Sequence, residues 1–144
     1  MARLHLRIVT PEQIKLEEDV DMVIMRCVTG DMGILPNHEA CSAVLDYGAL
    51  RIISEGGERR IAVYGGIVQV HDNIVSVLAN GAQWPEDIDV SAAQAERDRA
   101  QSLIESESPS TDSLTIQRDH IKLRRSLVQI EVSSYSILGS KHHV

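Results

Sequence analysis

The ten residues GDMGILPNHE, from Gly30 to Glu39, interrupt a run of short segments in which apolar and polar residues alternate. Thr29-Gly30-Asp31 indicates a turn, and Ile34-Leu35-Pro36 indicates a short extended piece, because a residue before proline is kept out of the helical region. At about residue 85 the period changes from that of strands to that of helices. A β half followed by a helical half predicts a docking module that carries a switch, and it does not predict a catalytic pocket.

The β half is predicted to consist of short strands separated by glycine or by Asp and Asn. Val20–Val28 is mostly apolar, with Asp21 and Arg26 as its charges, so we expect this strand to be buried on both faces. The predicted strands cover residues 4–8, 20–28, 34–36, 41–45, 49–54, 60–64, 67–70 and 74–79. The predicted turns lie at Asp46-Tyr47-Gly48, Gly56-Gly57, Gly65-Gly66 and His71-Asp72-Asn73. Strands of this length at this spacing are typical of a sandwich or a flattened barrel.

The composition of the β half determines what kind of core it can have. The chain contains no Phe, one Trp and three Tyr, so the core must be built from Val, Ile, Leu and Met. An aliphatic core of this kind fits a sandwich without an aromatic ligand box. We therefore predict an α+β fold that is mainly β, with an N-terminal β-sandwich over residues 1–84 and a C-terminal antiparallel helical hairpin over residues 85–144.

The helical half begins after Pro85. Asp87 or Asp89 is suited to cap a first helix, which is predicted to run to about Glu105. Residues 106–112 have the composition of a loop, and a second helix is predicted from about residue 113 to 132, followed by a frayed tail over residues 136–144. The predicted apolar stripe of the second helix consists of Ile116, Leu123, Leu127 and Ile130. Roughly opposite this stripe lies a basic face formed by Arg118, Lys122 and Arg125, with Arg124 on its flank.

Charge and cysteine content exclude several classes of function. A formal net charge of -7 argues against broad binding to nucleic acid or to anionic lipid. Cys27 and Cys41 are too few for a disulfide framework or a zinc site, so we expect two buried free thiols. No window is apolar enough to span a membrane, and the N-terminus lacks the apolar region of a signal peptide. We therefore expect a cytoplasmic protein that contacts a membrane only through a partner complex.

Several motifs, in order along the chain, resemble one known family, the epsilon subunit of the bacterial F-type ATP synthase (delta in mitochondrial nomenclature). The stretch TGDMGILPNH, Thr29–His38, is similar to the family's G-[ED]-x-G-I-x-P-x-H loop. YGALRI at Tyr47–Ile52, GGIVQV at Gly65–Val70 and NIVSVLA at Asn73–Ala79 extend the resemblance. The helical entry Ile88-Asp89-Val90 is similar to the family's opening too. The resemblance covers most of the chain.

The resemblance implies a rotor subunit without chemistry of its own. In that family the β-sandwich packs on the gamma subunit and on the membrane c-ring, so that the central stalk couples ion translocation to ATP synthesis. By this resemblance the contact with gamma and the c-ring is expected from Asp31, Met32, Ile34, Leu35 and His38. The expected location is peripheral, on the cytoplasmic face of the bacterial cell membrane, as part of the ATP synthase complex.

The resemblance also implies a regulatory role for the hairpin. In the family this hairpin either folds against the sandwich or extends into the catalytic hexamer, where it blocks ATP hydrolysis. The basic face of Arg118, Lys122, Arg124 and Arg125 suits contact with acidic segments of the alpha and beta subunits. A helical hairpin that is marginally stable and only partly buried should have docked and extended states that differ in free energy by only about a few kcal/mol.

Some members of the family bind ATP on the folded hairpin through an I-D-x-x-R-A motif and further arginines. Here Asp89 matches the acidic position, but Ala92 stands at the motif's arginine. Arg99 and Arg125 match two further positions, and Gln129 replaces the last arginine. Since a site for a polyanion has lost two cations, we expect weak ATP binding or none, and no cofactor.

Three further groups of residues resemble sites of other functions. Asp31, His38 and Ser42 are the residue types of a hydrolase triad, but no nucleophile elbow surrounds the serine, so no catalytic residue is expected. Gly65-Gly66 lies between strands without a phosphate-loop motif and is interpreted as a turn or bulge. His142-His143 lacks a third ligand, so no metal site is expected. The alternative to a rotor subunit is a free-standing β-sandwich that binds proteins and recruits a partner through its helical tail.

Overall fold

The computed structural model describes the backbone of residues 2–142 and the side chains of residues 2–135. Within this part of the chain, strands come first and helices follow, as predicted for the fold class. The strands are β1 (Leu4–Val9), β2 (Ile14–Val20), β3 (Met22–Cys27), β4 (Gly30–Ile34), β5 (Cys41–Ser54), β6 (Gly57–His71), β7 (Ile74–Ala79) and β8 (Ala82–Gln83). A 3₁₀ turn covers Pro85–Asp87, and the helices are α1 (Val90–Glu105) and α2 (Ser113–His142). The chain divides into two compact units between Trp84 and Pro85.

The β unit is organised around the long antiparallel hairpin formed by β5 and β6. The strand order is β2-β1-β7-β6-β5-β3-β4, with β8 paired to β6. The β1–β7 pairing is parallel and the other pairings are antiparallel. Side chains from both ends of this order belong to one buried aliphatic cluster, for example Leu6 and Val77 from one end and Val23 and Ile52 from the other. The two ends of the sheet therefore enclose a common core, which is the arrangement of a sandwich.

Two glycines in the middle of β6 allow this long strand to bend. Gly65 and Gly66 have backbone φ angles of 79° and 139°, which residues with a Cβ rarely adopt. A Cβ at Gly66 would lie 2.2 Å from the carbonyl oxygen of Leu78 on β7. The strand continues through both residues, so the predicted turn at Gly65-Gly66 is wrong. The glycines form a local distortion within β6, as the bulge alternative of the prediction expected.

Several details of the strand prediction are wrong. The predicted extended piece at residues 34–36 falls at and beyond the end of β4, which is Gly30–Ile34. Ile14–Val20 forms a strand that the polar sequence did not indicate, and Val20 is its last residue. β3 buries one face only, because Val23, Met25 and Cys27 are buried while Arg26 is exposed. Asp46-Tyr47-Gly48 does not end a strand, since β5 runs through it. Gly48 is required there because a Cβ would lie 2.7 Å from the Cβ of Arg26.

The helical unit begins as its sequence predicts. Asp89 is the N-cap of α1, and its carboxylate accepts a hydrogen bond of 3.1 Å from the backbone N–H of Ala92. α1 ends at Glu105, and α2 begins at Ser113 after the predicted loop. α2 continues to His142, so the prediction of a frayed tail from residue 136 is wrong over 136–142, while residues 143 and 144 lie outside the described part. Over the described residues, neither helix is long and apolar enough to cross a membrane.

Candidate functional site: docking surfaces of the two units

One end of the β unit is formed by two tight turns that are joined by a hydrogen bond. The first turn belongs to the stretch Gly30–Glu39. In the first, the N–H of His38 donates to the carbonyl oxygen of Leu35 at 3.2 Å. With Pro36 in the second position and a φ of 69° at Asn37 in the third, this turn has the residues of type II. In the second, Asp72 and Asn73 have φ of 50° and 63°, as a type I′ hairpin turn requires.

The connection between the turns is local and polar. The N–H of Asn37 donates to the side-chain oxygen of Asn73 at 2.6 Å. The backbone oxygen of Asn73 in turn accepts from the N–H of His5 at 2.7 Å. A cleft of ≈ 440 Å³ lies at these turns and is lined by Asn37, His38, Ala40, His71, Asp72 and Asn73. The turn Leu35–His38 is thus bonded to the β6–β7 turn, which is in turn bonded to the residue His5 of β1.

The five residues predicted for this interface have different environments. Leu35 is 54% exposed and Asp31 is exposed, with its carboxylate 3.9 Å from the guanidinium of Arg26 on the paired strand. Met32 and His38 are half-buried. Ile34 is fully buried in the core, so the prediction that its side chain meets a partner is wrong. It is the last residue of β4 and opposes Val23 of β3, which directs it inward.

The residue types of a hydrolase triad are not brought together. The Nδ1 atom of His38 is 2.8 Å from the carbonyl oxygen of Glu39 and 3.9 Å from the Sγ of Cys41. Ser42 is exposed on β5 opposite Gln69, and Asp31 faces Arg26. Among the described residues no cluster of three or more His, Cys, Asp or Glu side chains has the geometry of a metal site. The side chains of His142-His143 lie outside the described residues.

The outer face of the β2-β1-β7-β6-β5 end of the sheet carries an unbroken line of aliphatic side chains, which we call the aliphatic row. Its members are neighbours on successive strands: Ile14 opposes Val9, Val9 opposes Leu78, Leu78 opposes Ile67 and Ile67 opposes Val44. The N–H of Val28 donates to the carbonyl oxygen of Val44 at 3.0 Å and extends the line. The aliphatic row therefore consists of Ile14, Val9, Leu78, Ile67, Val44 and Val28.

The aliphatic row is a surface feature and not part of the core. Val9 is half-buried, and the other five members are between 41% and 60% exposed. Five strand spacings of about 4.8 Å give the row a length of about 24 Å. Scattered apolar side chains are ordinary on a protein surface, but a contiguous apolar band is typical of an interaction site. The sequence carried a signal for it, because Val44-Leu45, Ile67-Val68 and Val77-Leu78 are apolar on both faces of their strands.

The neighbouring rows on the same face are polar. Ser42, Gln69, Ser76, Arg7 and Glu17 form the next row across the strands. Arg7 and Glu17 are 3.6 Å apart. In the row beyond, the Nδ1 atom of His5 lies 2.9 Å from the carboxylate of Asp19, and Ile74 is exposed beside His71. The aliphatic row is therefore bordered by polar and charged side chains on the side of the turns at Leu35–His38 and His71–Ile74.

A charged cluster occupies the other half of the β5–β6 hairpin. Glu58 accepts two hydrogen bonds from Arg51, at 2.8 and 3.0 Å, and one from Arg60 at 2.7 Å. The pKa of Glu58 is lowered from 4.5, and the hydrogen bonds from Arg51 are the largest cause. Burial acts in the opposite direction, and the hydrogen bond from Arg60 lowers the pKa further. Elsewhere, burial raises the pKa of the Cys27 thiol, with a smaller effect from Asp31. Both cysteines are free, and Cys41 is half-buried rather than buried.

The buried faces of α2 differ from the predicted stripe. Leu127 is 46% exposed, and Ile116, Leu123 and Ile130 are only half-buried. The prediction for Leu127 is therefore wrong. The fully buried positions lie in two directions, with Ser126 about 40° from Ile130 of the stripe and Val128 about 200° around from Ser126. The buried residues of α2 are Asp119, Ser126, Val128, Val132 and Ser133.

The predicted basic residues of α2 lie at the surface of the helical unit. Arg118, Lys122, Arg124 and Arg125 are all exposed. Of the residues expected for weak ATP binding, Arg125 belongs to this set, and Arg99 on α1 places its guanidinium 3.3 Å from Glu96. The carboxylate of Asp89 caps α1. The acidic position of the motif thus has a structural task as the cap of α1.

Comparison with known proteins agrees with the predicted resemblance. The family model for the ATP synthase Delta/Epsilon chain, beta-sandwich domain, matches residues 3–85. An ATP synthase epsilon chain of Halalkalibacterium halodurans is 35% identical over 133 residues, covering 92% of this chain and 98% of that protein. The ATP synthase epsilon chain of Bacillus subtilis is 40% identical over 112 residues, covering 78% of this chain and 85% of that protein.

A likeness to a solved structure supports the fold. A chain in the cryo-EM structure of the Euglena gracilis mitochondrial ATP synthase (OSCP/F1/c-ring in rotational state 1) matches with a TM-score of 0.78 at 24% identity, covering 95% of this chain and 82% of that chain. The resemblance stated from the motifs is therefore confirmed, and so is the fold class. This chain belongs to the ATP synthase delta/epsilon chain family.

Proposed function

We propose that this chain is a central-stalk (rotor) subunit of an F-type ATP synthase and has no catalytic activity of its own. Its β unit would dock on the gamma subunit and on the c-ring, and so transmit rotation between ion translocation and ATP synthesis. Family membership supports this role, since the relatives are named ATP synthase epsilon chains. The structural observation that carries the proposal is the aliphatic row, whose apolar side chains have the exposure expected of a surface that a partner covers.

Burial of the aliphatic row by a partner would contribute a substantial part of the binding free energy. Burying the exposed remainder of its five outward members contributes roughly 1 kcal/mol each, by the usual relation between apolar area and free energy. Part of this sum is offset by the loss of translational and rotational freedom on association, so a further surface must contribute. We assign the aliphatic row to gamma. Leu35 and His38 at the turn end, together with Asp31 and Met32 on β4, would contact gamma or the c-ring and supply that further surface.

The hairpin is assigned a regulatory role. Its exposed basic residues Arg118, Lys122, Arg124 and Arg125 would contact acidic segments of the alpha and beta subunits and restrain ATP hydrolysis. Such exposed ion pairs contribute roughly 0–1 kcal/mol each, so salt should weaken the restraint. ATP binding at Asp89, Arg99 and Arg125 is expected to be weak or absent. The subunit would be peripheral, on the cytoplasmic face of the cell membrane, held there by the complex.

Assembly and hydrolysis assays test the two parts of the proposal separately. Co-expression with the gamma, alpha and beta subunits should yield a complex that contains this chain, and its failure to join any gamma-containing assembly would overturn the rotor assignment. Removing residues from Pro109 onward should raise ATP hydrolysis of the assembled enzyme while assembly persists. Unchanged hydrolysis would reject the inhibitory role and leave the rotor role standing. A free-standing binding module, the alternative, predicts no co-assembly at all.

A further inference from the structure

One arginine of β6, Arg59, contacts two segments that the sheet itself holds weakly. Among the described strands, β2 pairs with β1 alone, and β8 pairs with β6 alone over the two residues Ala82–Gln83. The guanidinium of Arg59 forms an ion pair with Glu18 on β2. It also lies over the ring of Trp84, the residue that follows β8. Arg59 therefore connects an edge strand with the end of the β unit.

Glu18 is a charged residue on the core side of β2. Its cross-strand neighbour Leu6 is fully buried, whereas the adjacent Glu17 faces the other way and lies 3.6 Å from Arg7. The Oε1 atom of Glu18 is buried, so the positive charge of Arg59 takes the place of the water that this oxygen loses. An inward charge also keeps an edge strand from pairing with another chain.

Arg59 approaches Glu18 and Trp84 from the core side of β6. It opposes Ile52 of β5, which is fully buried, so both side chains leave the sheet on the same face. The guanidinium carbon of Arg59 lies 6.0 Å from the centroid of the Trp84 ring, a distance at which a cation–π contact is favourable. Trp84 itself packs against the aliphatic core. Since 47% of the Arg59 side chain stays exposed, this contact lies at the rim of the core.

Trp84 is the last residue of the β unit, because the chain divides between Trp84 and Pro85. The backbone attachment of this end is short. β8 pairs with β6 at two positions, and the N–H of Tyr64 donates to the carbonyl oxygen of Gly81 at 2.9 Å. A chain end with few contacts opens locally more readily than the rest of a fold. The side-chain contacts of Trp84 therefore contribute much of what keeps β8 on the sheet.

We propose that Arg59 is a clasp, which joins Glu18 to Trp84 and so fixes the end of the β unit. With Trp84 and β8 held on the core, the joint with the helical unit begins at Pro85 and not earlier. The clasp is a property of the β unit and does not depend on the rotor assignment. If the hairpin has the regulatory role proposed above, the clasp sets the residue from which its movement starts.

Fluorescence quenching and hydrogen exchange on the full-length chain test the clasp, because Trp84 is the chain's single tryptophan. Arg59→Met keeps an unbranched side chain and removes the charge. We expect acrylamide quenching of Trp84 to increase about twofold and the β8 amides to exchange about threefold faster. Glu18→Gln leaves Arg59 without its ionic partner, so a smaller increase in both readouts is expected. Exchange of the β1 and β7 amides serves as the internal reference for the fold.

Glu17→Gln is the matched control, because it removes the same charge from the neighbouring position on the other face of β2. We expect it to leave the quenching of Trp84 unchanged. Since the effect of Glu18 on Trp84 passes through Arg59, Glu18→Gln should add nothing in the Arg59→Met background.

Three results would overturn the clasp: both readouts unchanged in Arg59→Met, equal effects of Glu17→Gln and Glu18→Gln on Trp84, or additive effects of Glu18→Gln and Arg59→Met. If Arg59→Met unfolds the chain, the comparison of Glu18→Gln with Glu17→Gln decides alone. Gamma plays no part in these readouts, so failure of the clasp and failure of the rotor assignment are recognised separately.

Discussion

The backbone N–H of Asn37 donates a 2.6 Å hydrogen bond to the side chain of Asn73, across 36 residues of sequence. This bond joins the type II turn Leu35–His38 to the β6–β7 hairpin turn. Replacing Asn73→Gly should keep the hairpin turn, because glycine readily adopts the φ of 63° found there. The loop loses its acceptor, and exchange of the Asn37 amide should accelerate about fivefold, as expected for one hydrogen bond of about 1 kcal/mol.

Asn73→Asp is the control for that experiment. A carboxylate oxygen still accepts from Asn37, and Asp tolerates the left-handed conformation, so exchange at Asn37 should be no faster than in the wild type. Exchange that accelerates equally in both variants would mean that the turn itself, and not the hydrogen bond, holds the loop.

Ile34 and Leu35 are adjacent, but they should respond to substitution in different ways. Ile34 is fully buried, so Ile34→Asp places a charge in the core and should lower the free energy of unfolding by at least about 4 kcal/mol. Leu35 is 54% exposed, so Leu35→Asp should change it by no more than about 0.5 kcal/mol. Urea unfolding followed by Trp84 fluorescence measures both, since Trp84 packs against the β core. Equal destabilisation by the two substitutions would contradict the assigned directions of these side chains.

The pattern of the sequence predicted the architecture of the β unit better than its strand boundaries. Alternation identified most strands, because a strand with one buried face has a clear period of two. The error at Gly48 arose because glycine has two meanings, a turn or a close approach of another side chain, and only the packed Arg26 distinguishes them. β2 was missed because four of its seven residues are charged, so its sequence does not indicate a strand.

The site was harder to predict than the fold. Motif resemblance drew attention to the loop Gly30–Glu39, but it could not reveal that Ile34 faces the core, because that depends on the β3–β4 register. The sequence shows that some strands are apolar on both faces, but it does not show that the outward residues of these strands form the aliphatic row. Its members are separated by up to 69 positions between Val9 and Leu78, and pairing alone makes them neighbours. On α2 the apolar periodicity gave a wrong stripe, because the helix has two buried faces and one of them is made of polar residues.

The aliphatic row supplies a prediction for binding to the gamma subunit. Ile67→Thr and Leu78→Thr keep the strands compatible with a sheet while making two opposed members of the row polar. Each substitution should weaken the affinity for isolated gamma about tenfold, and calorimetry on the purified pair measures the change. Gln69→Thr, in the neighbouring polar row of the same face, should leave the affinity unchanged. If all three variants bind like the wild type, gamma does not dock on the aliphatic row.

The cluster of Glu58 with Arg51 and Arg60 predicts a pH-dependent contribution to stability. Glu58→Gln should lower the free energy of unfolding at neutral pH by about 1–2 kcal/mol, a range reduced because Arg51 is partly exposed to solvent. Since the arginines lower the pKa of Glu58 in the folded state, the stabilisation is fully present above its ordinary pKa of 4.5. It is lost as the pH falls through the lower, folded-state pKa.

Urea unfolding of the wild type and Glu58→Gln between pH 7 and pH 3 measures this contribution. The difference between the two proteins should be constant above about pH 5 and should shrink as the pH falls below the ordinary pKa of Glu58. Glu55→Gln, in the exposed turn between β5 and β6, removes an equal charge and should show no such difference at any pH. A Glu58→Gln deficit that keeps its neutral-pH size at pH 3 would show that packing, rather than the carboxylate's charge, stabilises this end of the hairpin.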